Sequence, residues 1–300
     1  MIRARWLAGF SMMILCSGQA LAKDVKPACN LSRFSVLPIT TLPDGRFTVP
    51  GQARGQPINL LVDTGGSVMT LTTGKLLSLG QRMLHGTGAL RGVADKRLIH
   101  VTFVDLQLGR LQGNHIPFYV DDALPGGADG TLTPDVMKQY DVDIDLAHGA
   151  INLFSPQHCP GKVVYWSKGG YIALPMSVVS GAHIQIPVMV DGKRVNALLD
   201  TGAISSMVSM RAVKALGISD KSPELKVITE KGERYPLYDY PFKTLDFNGI
   251  TVTTPRLQVA SDGFLPFGTD MLIGANILRR LHLYIAYGEQ MLYITPASAN

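Results

Sequence analysis

A repetition is the feature that most restricts what this chain can become. Set over Ile184–Gly217, the segment Phe47–Gly80 aligns without a gap, and nine of the 34 positions are identical. Unrelated segments of ordinary composition would share about two. The identities are Pro50/Pro187, Gly55/Gly192, Asn59/Asn196, Leu61/Leu198, Leu79/Leu216, Gly80/Gly217 and two complete Asp-Thr-Gly triplets, at Asp63–Gly65 and Asp200–Gly202. Many mismatches keep their chemistry, as Ile58/Val195 and Leu71/Val208 do. A unit written twice in this way builds two similar halves.

Each unit has the same texture. One strand ends near Pro50 or Pro187, a turn follows at Gly55 or Asp191–Lys193, and a second apolar strand runs straight into Asp-Thr-Gly. Another β-rich piece comes next, then a short helical stretch closed by Gly80 or Gly217 as C-terminal cap. The units also end alike, Thr131–Phe154 corresponding to Leu272–Ile294, each a short helical turn leading into a hairpin. Between them Ser155–Gly170, with its prolines and glycines, reads as the connection. The expected molecule is mostly β with short helices and two lobes. Residues 23–158 would form the N-terminal lobe and 159–300 the C-terminal one.

A carboxylate at the end of a buried strand is costly unless its surroundings stabilise it. Glycine lets the backbone approach such a carboxylate with its N–H groups, and threonine offers a hydroxyl that reaches the partner turn. Lobes related by an approximate two-fold axis would set Asp63 beside Asp200, and two carboxyls about 3 Å apart share one proton.

On these triplets and their flanks, the chain resembles the aspartic peptidases of the retropepsin/pepsin type, with both halves on one chain. The resemblance covers nearly all of the sequence after residue 22. It implies the duplicated two-lobed β-barrel fold of that family, with Asp63 and Asp200 as a catalytic dyad that activates water. Thr64 and Thr201 would interlock through their hydroxyls, and Gly65 and Gly202 would supply supporting N–H groups. The implied substrate is a peptide or an unfolded, extended protein segment, cut by a monomer without cofactor or metal. A half-site enzyme that needs a second copy fits poorly with two triplets on one chain. A catalytically silent module that binds peptides in the same cleft is the rival reading.

The family also carries an apolar-apolar-Gly signature late in each lobe. Lobe two keeps it as Leu272-Ile273-Gly274, whereas lobe one reads Thr131-Leu132-Thr133 before Pro134, which puts its backing loop in doubt. Gly-rich His85–Val93, with Gly86, Gly88 and Gly92, is the candidate flap over the cleft, and Ile228–Tyr235 its counterpart in lobe two. Neither Gly66 nor Ala203, which follow the triplets, has a hydroxyl to stabilise the neighbouring anion. The dyad's lower apparent pKa should therefore be raised, giving an optimum at roughly pH 4–6.

Residues 1–22 read as a signal peptide. Arg3 and Arg5 precede the apolar Trp6–Gly18, and Ala20-Leu21-Ala22 forms a small-x-small cleavage site. Export to a bacterial periplasm or beyond is expected, an uncleaved N-terminal anchor being the alternative. Cleavage would leave Cys29 and Cys159, an even count that suggests one disulfide, with two free thiols as the alternative. It would also remove two of the positive charges behind a net +5. With no dense basic block, nucleic acid is not an expected partner. Asp141, Asp143 and Asp145 fall on one face of a strand, which reads as a solvated face in preference to a calcium site. The seven histidines show no metal-binding spacing.

Overall fold

The computed structural model describes residues 30–91 and 97–297. The expected signal peptide, Cys29 and Gly92 lie outside them.

The repeated texture becomes two matching hairpins. Phe47–Ala53 pairs antiparallel with Gln56–Val62, and His183–Val190 with Lys193–Leu199. Each pair is joined by two residues with positive φ, Arg54-Gly55 (51° and 75°) and Asp191-Gly192 (48° and 76°). That backbone is the type I′ turn whose twist matches the flanking strands. Both second strands bury Ile58, Leu60, Leu61 and Val62 in one lobe, and Val195, Ala197, Leu198 and Leu199 in the other. The last three positions of each strand are buried on both faces, so the alternating pattern gives way to a continuous apolar run just before Asp-Thr-Gly.

Short helices follow, as the texture predicts. Thr73–Ser78 is capped by the Thr72 hydroxyl accepting from the Lys75 N–H at 3.2 Å, and Met210–Ala215 by Ser209 accepting from Ala212 at 3.1 Å. Gly80 (φ 66°) and Gly217 (φ 91°) end them in the left-handed region, and the next N–H reaches back to Leu76 or Val213. This is a Schellman closure in both lobes.

Lobe one is built on an eight-stranded sheet and lobe two on a ten-stranded one. A six-stranded sheet joins them, in the order Arg33–Pro38, Ala150–Phe154, Asp141–Asp145, Leu281–Ala286, Met291–Pro296 and Ile172–Pro175. Its two central strands come one from each lobe, with Val142 opposite Ile285 and Ile144 opposite Leu283. Arg33–Pro38 is an edge strand of this sheet, so that part of the N-terminal segment belongs to the fold.

The solvated-face reading of Asp141–Asp145 is overturned: all five residues are buried. Alternation shows which side chains share a face but not whether that face meets water. Here the face is covered by the segment expected to be a plain connection, whose Val163 is fully buried and whose Trp166 stacks on His282 with ring centroids 4.1 Å apart. Asp141 is paired with His158 and accepts from the Tyr284 hydroxyl at 3.1 Å. Asp143 accepts from Tyr165, from Asn152 at 3.0 Å and from His282 at 2.5 Å. Asp145 meets His148 at 2.7 Å. Among the described residues no cluster is arranged to hold a metal ion.

Candidate active site

The strands Gln56–Val62 and Lys193–Leu199 deliver their Asp-Thr-Gly turns to one place, where the two threonines interlock. Thr64 Oγ1 donates to the Leu199 carbonyl at 2.9 Å and accepts from the Thr201 N–H at 3.0 Å. Reciprocally, Thr201 Oγ1 donates to the Val62 carbonyl at 2.6 Å and accepts from the Thr64 N–H at 3.1 Å. Both threonines are buried, so in these four hydrogen bonds three polar groups on each side of the lobe junction are satisfied by the other lobe.

The glycines serve by having no side chain. Neither Gly65 nor Gly202 has positive φ. A methyl on Gly65 would land inside the Asp200 carboxyl, and one on Gly202 inside that of Asp63. Each glycine therefore lets the opposite lobe's acid approach its backbone, while its own N–H supports its own lobe's acid. Gly65 N donates to Asp63 Oδ1 at 3.1 Å, and Gly202 N to Asp200 Oδ1 at 3.0 Å, joined by Ala203 N at 3.0 Å.

The backing strand that the sequence left in doubt is present. Gly130–Leu132 runs parallel to Gln56–Val62 as Met271–Ile273 does to Lys193–Leu199, and Asp63 N–H to Leu132 O and Asp200 N–H to Ile273 O are both 2.9 Å. The lost glycine is compensated across the contact. In lobe two, a Cβ on Gly274 would come within 2.8 Å of the Ala203 carbonyl. In lobe one the bulk sits at buried Thr133, and the room is at Gly66, where a Cβ would meet Thr133 Cγ2 at 2.7 Å.

Residues 186–280 match the family model described as "gag-polyprotein putative aspartyl protease". The match falls within the second lobe and takes in its Asp-Thr-Gly triplet. Over most of its length the chain also resembles the crystal structure of basic 7S globulin from soybean, with TM-score 0.52 and 12% identity over 90% of this chain and 96% of that one. Conglutin gamma, a basic 7S globulin from lupine seeds, gives TM-score 0.52 and 12% identity over 89% and 95% of the two chains. At this identity the likeness shows a shared fold. No curated protein sequence matches the chain.

At this site the Asp63 and Asp200 carboxyls face one another, each lying against the other lobe's glycine. Burial raises both above the ordinary carboxylate range. Asp200 is pushed well above it, by burial first and by the neighbouring Asp63 charge second. For Asp63 the rise is partly offset by the hydrogen bond with Asp200 and by the Gly65 and Gly66 N–H groups. The direction agrees with the sequence expectation, but its main cause is burial, not the missing hydroxyls.

A cleft of about 570 Å³ opens over the dyad, with Val68, Leu124, Met207, Phe264 and Phe267 among its apolar walls. A hollow of about 960 Å³ over lobe two shares Ile204 and Ser205 with it. Of the candidate flap residues, Gly86 and Gly88 lie in the strand Leu84–Arg91, which pairs antiparallel with Arg97–Leu108. Ile228–Tyr235 lies in the connection of the hairpin formed by Lys226–Val227 and Leu237–Asp239. Cys159 lies in the segment that covers the central sheet, and its expected partner is outside the described residues.

Two residues at the site escaped the sequence reading. Arg46 Nη1 donates to the Gly202 carbonyl at 3.1 Å, and His183 Nε2 lies 3.1 Å from the Gly65 carbonyl. The signal was one position away: extending the repeat alignment upstream by one residue sets Arg46 over His183.

Proposed function

We propose that the chain is an exported aspartic endopeptidase acting as a monomer on peptides or unfolded protein segments. The observation that carries this is the meeting of two buried carboxyls, held by a reciprocal threonine lock, on the floor of an open cleft. With one proton shared, the ionised carboxylate takes a proton from water as its oxygen attacks the peptide carbonyl. The protonated carboxyl gives its proton to the carbonyl oxygen, forming a gem-diol. Collapse of the gem-diol breaks the C–N bond as the amine leaves with a proton, and the dyad returns to its single-proton state. Thr64, Thr201, Gly65 and Gly202 hold the geometry. Burial of the pair supports an optimum at roughly pH 4–6.

The N-terminal sequence supports cleavage after Ala22, a periplasmic or secreted location and a Cys29–Cys159 bond in the mature protein. Mass spectrometry of exported, unreduced protein tests all three together.

Activity is tested by mixing mature protein with an unfolded substrate across pH 3–7. Cleavage by the wild type that disappears in both Asp63→Asn and Asp200→Asn is the expected result. Absence of cleavage alongside measurable peptide affinity would replace the enzyme with the binding module.

A further inference from the structure

The two residues that grip the turn carbonyls do more than join the lobes. Each carbonyl belongs to a peptide unit whose N–H faces an acid of the dyad. On one side Arg46 Nη1 donates to the Gly202 carbonyl, and the N–H of that same peptide, on Ala203, donates to Asp200 Oδ1 at 3.0 Å. On the other, His183 Nε2 contacts the Gly65 carbonyl, and the N–H of that peptide, on Gly66, donates to the Asp63 backbone carbonyl at 3.2 Å and also favours the Asp63 carboxylate beside it. A carbonyl oxygen only accepts, so Nε2 carries the hydrogen. Hydrogen bonds in such a chain polarise one another, so a cation on the carbonyl side strengthens the N–H donor on the acid side.

The two relays match in position and differ in charge. Arg46 is permanently cationic and is held by Asp44, which accepts from its Nε at 2.9 Å and its Nη2 at 2.5 Å. In the matching place His183 offers an imidazole instead of a guanidinium. It is buried, and its Nδ1 meets no hydrogen-bond partner among the described residues. Its ring lies against Phe267, centroids 4.5 Å apart, in a cleft-lining loop where Phe267 has φ 56°. The ionisable groups it faces are Asp63 and, beyond it, Asp200; the loop offers the uncharged phenyl ring and the first turn a carbonyl. A purely structural contact would gain nothing from a buried titratable ring with one nitrogen unpaired.

We infer that His183 is a positioning residue for the dyad, acting on Asp63 through the Gly65–Gly66 peptide, with Arg46 acting likewise on Asp200 through the Gly202–Ala203 peptide. The inference rests on the reading of the dyad given above. Charge on His183 favours the anionic dyad, so removing it shifts both apparent dyad pKa values upward; a fixed cation shifts them down.

The test labels aspartate carboxyl carbons with ¹³C in the full mature chain and assigns the dyad signals by their loss in Asp63→Asn. Titrations of wild type, His183→Gln and His183→Arg are compared, with thermal melts of the same samples. The glutamine variant is expected to move the dyad titration up by about half a unit or more, and the pH–activity bell with it, while the arginine variant moves both down. Folded variants whose dyad titrates as in wild type overturn the inference. If the glutamine variant does not fold, His183→Arg decides alone, by a downward shift or none. Because the titration needs no turnover, a wild type that cuts nothing while the shifts appear would sink the protease reading and leave this inference standing. A wild type that cuts, with an unmoved titration, would do the reverse.

Discussion

Two groups of acids are buried in this molecule, and they are kept in opposite ways. At the dyad, Asp63 and Asp200 face each other with backbone N–H groups around them, and no lysine, arginine or histidine hydrogen-bonds to either carboxyl among the described residues. Burial disfavours the charged form of both. In the sheet between the lobes, Asp141, Asp143 and Asp145 are surrounded by three histidines, two tyrosines and an asparagine. Of their carboxyl oxygens, only Asp141 Oδ1 is left without a hydrogen-bond partner among the described residues. One group lines an open cleft with few polar partners. The other is closed off and, apart from that oxygen, partnered, on a strand that pairs with one from the other half.

Removing an acid should therefore have contrary consequences in the two places. Asp63→Asn or Asp200→Asn is expected to reduce cleavage by about 10³-fold or more, because each acid works only as half of a unit. Melting at neutral pH should not fall, since the amide replaces a carboxyl whose charged form burial disfavours. An Asp200→Asn protein that still cuts at a tenth of the wild-type rate would break the comparison at its catalytic side.

Asp143→Ala takes the acceptor from Tyr165, Asn152 and His282 together. It should cost about 3–5 kcal/mol in urea unfolding, while the folded fraction keeps the wild-type pH profile. A neutral outcome would mean that the network contributes nothing to lobe docking.

Thr201→Val, nearly isosteric, leaves the Thr64 N–H and the Val62 carbonyl unpaired and should cost about 2–4 kcal/mol. Thr201→Ser should recover most of this. Failure of serine to do so would assign the loss to packing of the methyl group instead of the interlocked hydroxyls.

The smallest effect is one of pH. The folded-state pKa of Asp63, Asp200 and Asp141 is raised, in each case chiefly by burial. The folded protein thus binds more protons than the unfolded chain above the ordinary carboxylate range. Stability is fully present below that range and declines as pH rises through the raised values, by about 1.4 kcal/mol per pH unit for each excess proton. Melting temperatures at several pH values should show this decline, and Asp200→Asn should flatten it. An unchanged slope in that variant would place the excess protons in the inter-lobe sheet.

Much of this architecture was legible in one dimension. The strand-turn-strand unit, the helix closed by glycine and the two triplets are local patterns, and local backbone preferences suffice to write them. The fate of Asp141–Asp145 was not legible, because its cover comes from Trp166 and its histidine partners from residues 158 and 282, far along the chain. The missing glycine at Thr133 misled for the same reason: its compensation is Gly66, a contact across space. Arg46 and His183 stood just outside the aligned block, and their common target became visible only when each was found on the opposite lobe's turn.

By itself, the sequence determined that one unit is present twice and that each copy ends a buried strand in an acid, because repetition and alternation are properties of neighbouring residues. Tertiary structure alone decided that the two acids touch, which glycine makes room for which side chain, and which other acids are sealed away. Those outcomes depend on how two surfaces meet, and the free energy of a buried charge is set by what lies across that meeting and not by its neighbours in the chain.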